Sequence, residues 1–259
     1  MEKLIRPGRI IYGIGIIALG VLCILSKDFV AGRPPAATWA ATIPGKLLWA
    51  YVSGGLLILA GLAVIFNKQA RTAALVVAVM ILLFSFVARH LYEMVDWLNA
   101  YKALALAGGS FIVAASFQRK DQGGREATST RDKLVFTGCI FFSLFFIICG
   151  LAHFKFAGFI IKDFMPSYIP FPTFWTWFCG VCLIAGGLGL LLPPIRKWAA
   201  LLSGIMIAGW FVLLHTVRFA ADTNNASDRL GLCESFTFAG IFFVLAGILS
   251  GKGLGNLVN

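Results

Sequence analysis

The chain is short of charge, and shortest of acid. Only 13% of its 259 residues are charged, against about 25% in a typical soluble domain. Eleven Asp and Glu stand against 22 Lys and Arg, and histidine occurs three times. So few charges cannot cover a soluble globule of this length, whose surface must meet water. That excludes a soluble enzyme and a disordered chain. Six cysteines in a chain of this size do not make a secreted disulfide framework. No phosphate-binding Walker loop and no dinucleotide fingerprint after a strand occurs. There is no Cys–His haem-attachment motif, and no soluble stretch large enough to hold a nicotinamide or a flavin.

Apolar residues are present in excess. They make up 59% of the chain, and mean hydropathy is +0.89. Such a composition is that of a polytopic membrane protein. Charge-free stretches run over 10–26, 47–66, 72–90, 103–118, 134–152, 173–192, 198–217 and 232–251. Each is close to the length that crosses about 30 Å of hydrocarbon as a helix. The expectation is therefore an all-α membrane fold with eight transmembrane helices. Short segments of alternating polarity, the mark of a barrel, are absent. Lys3, Arg6 and Arg9 precede the first apolar run, and no small-x-small cleavage site follows it. Cys23 has Leu22 before it where a lipoprotein signal wants a small residue. This segment reads as a retained signal-anchor and first span.

The net charge of +11 does not point to nucleic acid. The basic residues lie scattered between apolar runs, not gathered in a stripe with aromatics. They read as an orientation signal. With eight spans, the side holding both termini carries 13 Lys and Arg, and the other carries 9. Both termini are expected in the cytoplasm, with the bilayer itself as the main partner. On the outer side, residues 153–172 carry Phe156, Phe159, Phe164, Met165, Tyr168 and Phe171. That segment is too apolar to be freely solvated and is expected in the lipid interface.

The chain repeats itself. A shift of 126 residues lays Pro44 on Pro170, Trp49 on Trp175, Gly54 on Gly180 and Gly61 on Gly187. Over residues 43–90 there are 13 identities in 48 positions without a gap. An even number of helices per half gives parallel repeats. The expected organisation is a first four-helix unit at 1–118, a polar linker at 119–131 and a second unit at 132–259. Glycines seven apart lie on one helix face and allow close helix contact.

These matched positions carry a resemblance. The second half reads Gly150, His153-Phe154, Met165-Pro166, Ile169-Pro170, Phe174-Trp175, Trp177, Gly180, Gly186-Gly187, Arg196, Met206 and Leu214-His215 with Arg218. This order resembles the DoxX family of bacterial membrane proteins in a tandem form. The first half resembles a degenerate copy, with Cys23-Ile24 where the His-Phe pair falls. The resemblance implies two four-helix units in the bacterial cytoplasmic membrane. It implies quinone- or thiol-linked redox work beside partner proteins, because some family members are associated with quinone-linked thiosulfate oxidation or thiol-stress complexes. Quinone is the only cofactor it suggests.

Few residues could carry chemistry. His90, His153 and His215 fall at the outer ends of helices three, five and seven. They read as interfacial hydrogen-bonding groups, as a small-ligand or proton site or, least favoured because a metal site would want tight sequence spacing, as metal or haem ligands. Arg89 and Glu93 are spaced to pair on a helix, and Asp96 follows. Arg218 lies three residues after His215, and Glu234 falls at the start of helix eight. His153, His215, Arg218 and Glu234 together form a candidate polar site, since ionisable groups at a span are functional candidates. Cys179 and Cys182 form a C-x-x-C, which reads either as a redox pair or as two small apolar residues. Two function classes remain open. One is a membrane component of a redox system. The other is a non-enzymatic binding, transport or assembly factor with a pocket between helices.

Overall fold

The computed structural model describes residues 1–28, 43–91, 97–117 and 125–251. These residues are helical, without a strand. Eight helices are long and apolar enough to cross a membrane. They are α1 (Ile5–Ser26), α2 (Lys46–Ile65), α3 (Ala70–Met80, continued by Ile81–Leu91) and α4 (Trp97–Ser116) in the first half. The second half holds α5 (Arg125–Lys155), α6 (Pro172–Leu191), α7 (Arg196–Ala221) and α8 (Ala226–Ser250). Residues 125–131, expected as linker, already belong to α5.

Consecutive helices are neighbours in space among the described residues, so α4 and α5 already join the two halves, and two further pairings cross between them, α1 with α8 and α4 with α8. Glycine sets the closest crossings. A Cβ on Gly54 would stand 2.7 Å from the Gly20 carbonyl, and one on Gly61 would stand 2.5 Å from that of Gly13. In the second half a Cβ on Gly150 would meet the Gly180 carbonyl at 2.7 Å, and Ser143 Oγ donates to the Gly187 carbonyl at 2.8 Å. The same chemistry joins the halves. Gly8 of α1 faces Gly240 of α8, and Gly108 of α4 faces Gly138 of α5. In lipid there is no hydrophobic drive between helices, so backbones that approach this closely bind through dispersion contacts.

α4 and α8 are the most enclosed helices. α4 is built from Ala103, Ala105, Ala107, Gly108, Gly109, Ala114 and Ala115, so its neighbours crowd against bare backbone. Around α8 the space is filled by phenylalanine instead. The Phe142 ring of α5 lies 5.3 Å from Phe238 and 4.6 Å from Phe242. Tyr12 of α1 is fully buried and donates to Ser110 Oγ of α4 at 2.8 Å. At the end where the chain begins, Arg9 Nε donates to Ser116 Oγ at 2.8 Å, and the same guanidinium donates to the Ser116 carbonyl. A cation there answers the carbonyls left unpaired at the last turn of α4. The Arg9 guanidinium also lies 3.8 Å over the Phe117 ring.

Two helices widen in mid-course. α3 takes π-helical turns over Ile81–Leu91, and α7 over Phe211–His215. Such turns misalign the backbone ladder and recur at functional sites. In α7 the Thr216 hydroxyl donates to the Val212 carbonyl, and the Tyr168 hydroxyl donates to that of Leu213.

Candidate functional site: a charged centre at one end of the bundle

The site lies at the end that carries the α3–α4, α5–α6 and α7–α8 connections. Its base is an ion pair. Lys102 Nζ of α4 stands 3.2 Å from the Glu234 carboxylate of α8, both largely shielded from solvent. Both residues lie inside helices that qualify as membrane spans. Glu234 was expected at the start of its helix. It lies deeper, because α8 begins at Ala226, where Asn225 caps it by accepting from the Ser227 and Asp228 amides at 2.9 and 3.1 Å.

A second pair stands beside it. Arg218 of α7 meets Asp228 with two prongs, Nε to Oδ1 at 2.7 Å and Nη2 to Oδ2 at 3.3 Å. Its remaining nitrogen, Nη1, donates to the Asp163 and Phe164 carbonyls at 3.0 and 2.7 Å. The guanidinium also lies 4.4 Å over the Phe164 ring. The planar fork of arginine suits this combination of bidentate pairing and stacking.

His215 stands one turn before Arg218 on α7 and faces α8 at Gly231, midway in sequence between Asp228 and Glu234. Its ring meets Phe164 edge to face at 6.1 Å. On its other side it rests on Gly231, where a Cβ would come 3.0 Å from Nδ1. The glycine one turn before Glu234 is thus what admits the imidazole to the α8 surface.

Of the four residues expected to form a polar site, three come together here: His215, Arg218 and Glu234. His153 belongs to a different seam. Its Nδ1 bonds the Cys149 carbonyl at 2.8 Å, and its Cβ lies against Gly180 on α6. Because a carbonyl only accepts, Nδ1 is the protonated nitrogen in this contact. The backbone of His90 lies in the π-helical part of α3, but its side chain and that of Arg89 lie outside the described residues, as do Glu93 and Asp96. Lys102 and Asp228 were not anticipated, since both fall just outside the charge-free stretches. The sequence did hold a sign of the first. Lys102 stands six residues before Gly108, and Glu234 six before Gly240.

The C-x-x-C occupies α6 as free thiols. Cys179 is buried and accepts a hydrogen bond from Trp210 Nε1 at 3.0 Å. Cys182 lies one turn further and is partly exposed. Pro170 closes the α5–α6 connection just ahead of α6, and Trp175 meets Trp210 edge to face at 5.9 Å. In the first half Pro44 likewise precedes α2, and Trp49 meets Phe84 at 6.3 Å.

A family model described as a domain of unknown function (DUF8561) matches residues 142–232. The matched stretch includes His153, Cys179, Cys182, His215, Arg218 and Asp228, and stops two residues before Glu234. No curated protein and no solved structure matches the chain. The DoxX likeness is carried by the residues quoted for it alone.

Proposed function

We propose that this chain is a multi-pass protein of the bacterial cytoplasmic membrane, built as two parallel four-helix units of the DoxX-like kind, with both termini in the cytoplasm. The balance of 13 basic residues against 9 supports that orientation. The duplication is supported by contacts that recur in kind. Gly20 with Gly54 answers Gly150 with Gly180, and Gly13 with Gly61 answers Ser143 with Gly187. Gly8 with Gly240 answers Gly138 with Gly108, now across the halves. Trp49 with Phe84 answers Trp175 with Trp210.

Its work is done at the charged centre, as a membrane-embedded binding component rather than a thiol enzyme. The observation that carries this is the Lys102–Glu234 pair at 3.2 Å within two spans. Ionised groups in a span are costly, and where they occur they line ligand, ion or proton paths. The C-x-x-C has less in its favour, since Cys179 is enclosed and engaged by Trp210. A quinone-linked role has one supporting feature, the His215 imidazole set edge-on against Phe164, which offers a polar ring atom beside an aromatic wall.

The test is direct. The protein is extracted with its native lipids into nanodiscs and assayed by mass spectrometry for co-purified small molecules, quinones included. Wild type should retain one that Glu234→Gln and Lys102→Met release, while Cys179→Ser retains it. Retention by all three variants would refute the assignment.

A further inference from the structure

The α5–α6 connection, residues 156–171, has two unlike faces. Toward the bundle it is tied at three points. Arg218 holds the Asp163 and Phe164 carbonyls. The Tyr168 hydroxyl donates to the Leu213 carbonyl in the widened part of α7. Ile169 is buried. Phe164 stands against His215 and under the Arg218 guanidinium. The strap therefore lies across the charged centre, and its ties end on the helix that carries His215.

The other face is apolar and open. Phe156 is 53% exposed, Phe159 59% and Phe171 76%. The strap's helical part, Ala157–Phe164, is far too short to span a bilayer. It carries Lys162 and Asp163, and Lys155 at the end of α5 flanks it with a second cation. Aromatic rings flanked by lysines whose stems can reach for water form the composition of the headgroup boundary. It is the wrong composition for water.

We propose that residues 156–171 form a bilayer-docked cover. Phe156, Phe159 and Phe171 lie in the lipid interface, while Phe164, Arg218 and Tyr168 hold the strap closed over His215. The occupant of the open face is lipid, and the cationic flank favours an anionic headgroup. The cover rests on the reading of the charged centre as the functional site, but its two halves are read out without any ligand.

The first experiment places a photo-crosslinker on the open face of the full chain. Phe159→p-benzoylphenylalanine is illuminated in nanodiscs of phosphatidylethanolamine and phosphatidylglycerol. The expected product is a lipid adduct, with phosphatidylglycerol over-represented relative to its share of the disc. A protein dimer adduct would assign the face to a second copy and overturn the proposal. An absence of lipid adduct would put the face in water and overturn it as well. The second experiment loosens one tie. Tyr168→Phe removes a single hydroxyl, and diethyl pyrocarbonate then labels histidines in the same discs. The His215 rate should rise about five-fold, as the loss of one ordinary hydrogen bond does for an opening equilibrium, while His153 on its own seam stays unchanged. An unchanged His215 rate would show that the strap is not a cover. If the small-molecule assay fails while both of these succeed, the cover stands and the binding reading falls.

Discussion

Lys102 and Glu234 face one another at 3.2 Å from helices of opposite halves, and each precedes a contact glycine by six residues. Those glycines, Gly108 and Gly240, are the ones that meet Gly138 and Gly8 across the halves. In the repeat reading the two charges are therefore one position, filled by a base in one copy and by an acid in the other. A symmetric pair of identical halves would set like charges against each other there. This chain sets opposite ones, in a medium where an unpaired charge is expensive.

The glycine crossings differ in what they tolerate, and thermal unfolding in detergent can rank them. Gly150→Ala drives a methyl to 2.7 Å from a backbone oxygen that cannot turn aside. Gly180→Ala meets the far end of the Phe154 ring at 3.0 Å, which can turn aside, and the His153 Cβ at 3.1 Å, which need give only by a few tenths of an ångström. The first substitution should cost about 1–3 kcal/mol, and the second clearly less. Gly55→Ala meets nothing within 4 Å and should be neutral or stabilising by up to about 1 kcal/mol.

Arg9 anchors the opposite end. Arg9→Met leaves the Ser116 carbonyl without its charged donor and uncovers the Phe117 ring. A loss of about 1–3 kcal/mol is expected. Arg9→Lys should recover part of it, since an ammonium reaches the carbonyl but does not fork or stack. Equal melting of the two variants would contradict this role.

Gly231 is predicted to matter through His215 alone. Gly231→Ala sets a methyl 3.0 Å from Nδ1 and pushes the imidazole off α8. The histidine NMR signal of that residue should shift, while those of the other two stay in place. An unmoved signal would separate His215 from α8.

Orientation is open to a simple check. Reporter fusions at residues 125 and 160 should report opposite sides of the membrane, with 125 cytoplasmic. The same side for both would remove a span and with it the parallel repeat.

The eight spans were legible as charge-free runs, because a bilayer imposes length and apolarity on every crossing. The same criterion hid the site. It started the fourth span at 103 and the eighth at 232, cutting away Lys102 and Asp228 and leaving Glu234 at the margin. Helices whose polar ends pair with one another run on past the apolar stretch, as α8 does from its Asn225 cap. The contact partners of Gly54 and Gly61 were hidden for another reason. A shift of 126 matches α2 and α3 to α6 and α7, but Gly20 and Gly150 lie 130 apart, and Gly108 and Gly240 lie 132 apart. Connections of unequal length break a single register, so α1 and α4 could not be matched by one ungapped shift.

The pair at the centre can be tested by exchanging its charges. Lys102→Glu alone sets two carboxylates together, and Glu234→Lys alone sets two ammonium groups together. Each should melt far below wild type, by about 3–5 kcal/mol of stability. Lys102→Glu with Glu234→Lys restores an opposite pair, and the double variant should melt close to wild type. A double variant as unstable as the sum of the two single ones would contradict the pairing of these residues, and with it the meeting of the two halves at equivalent positions.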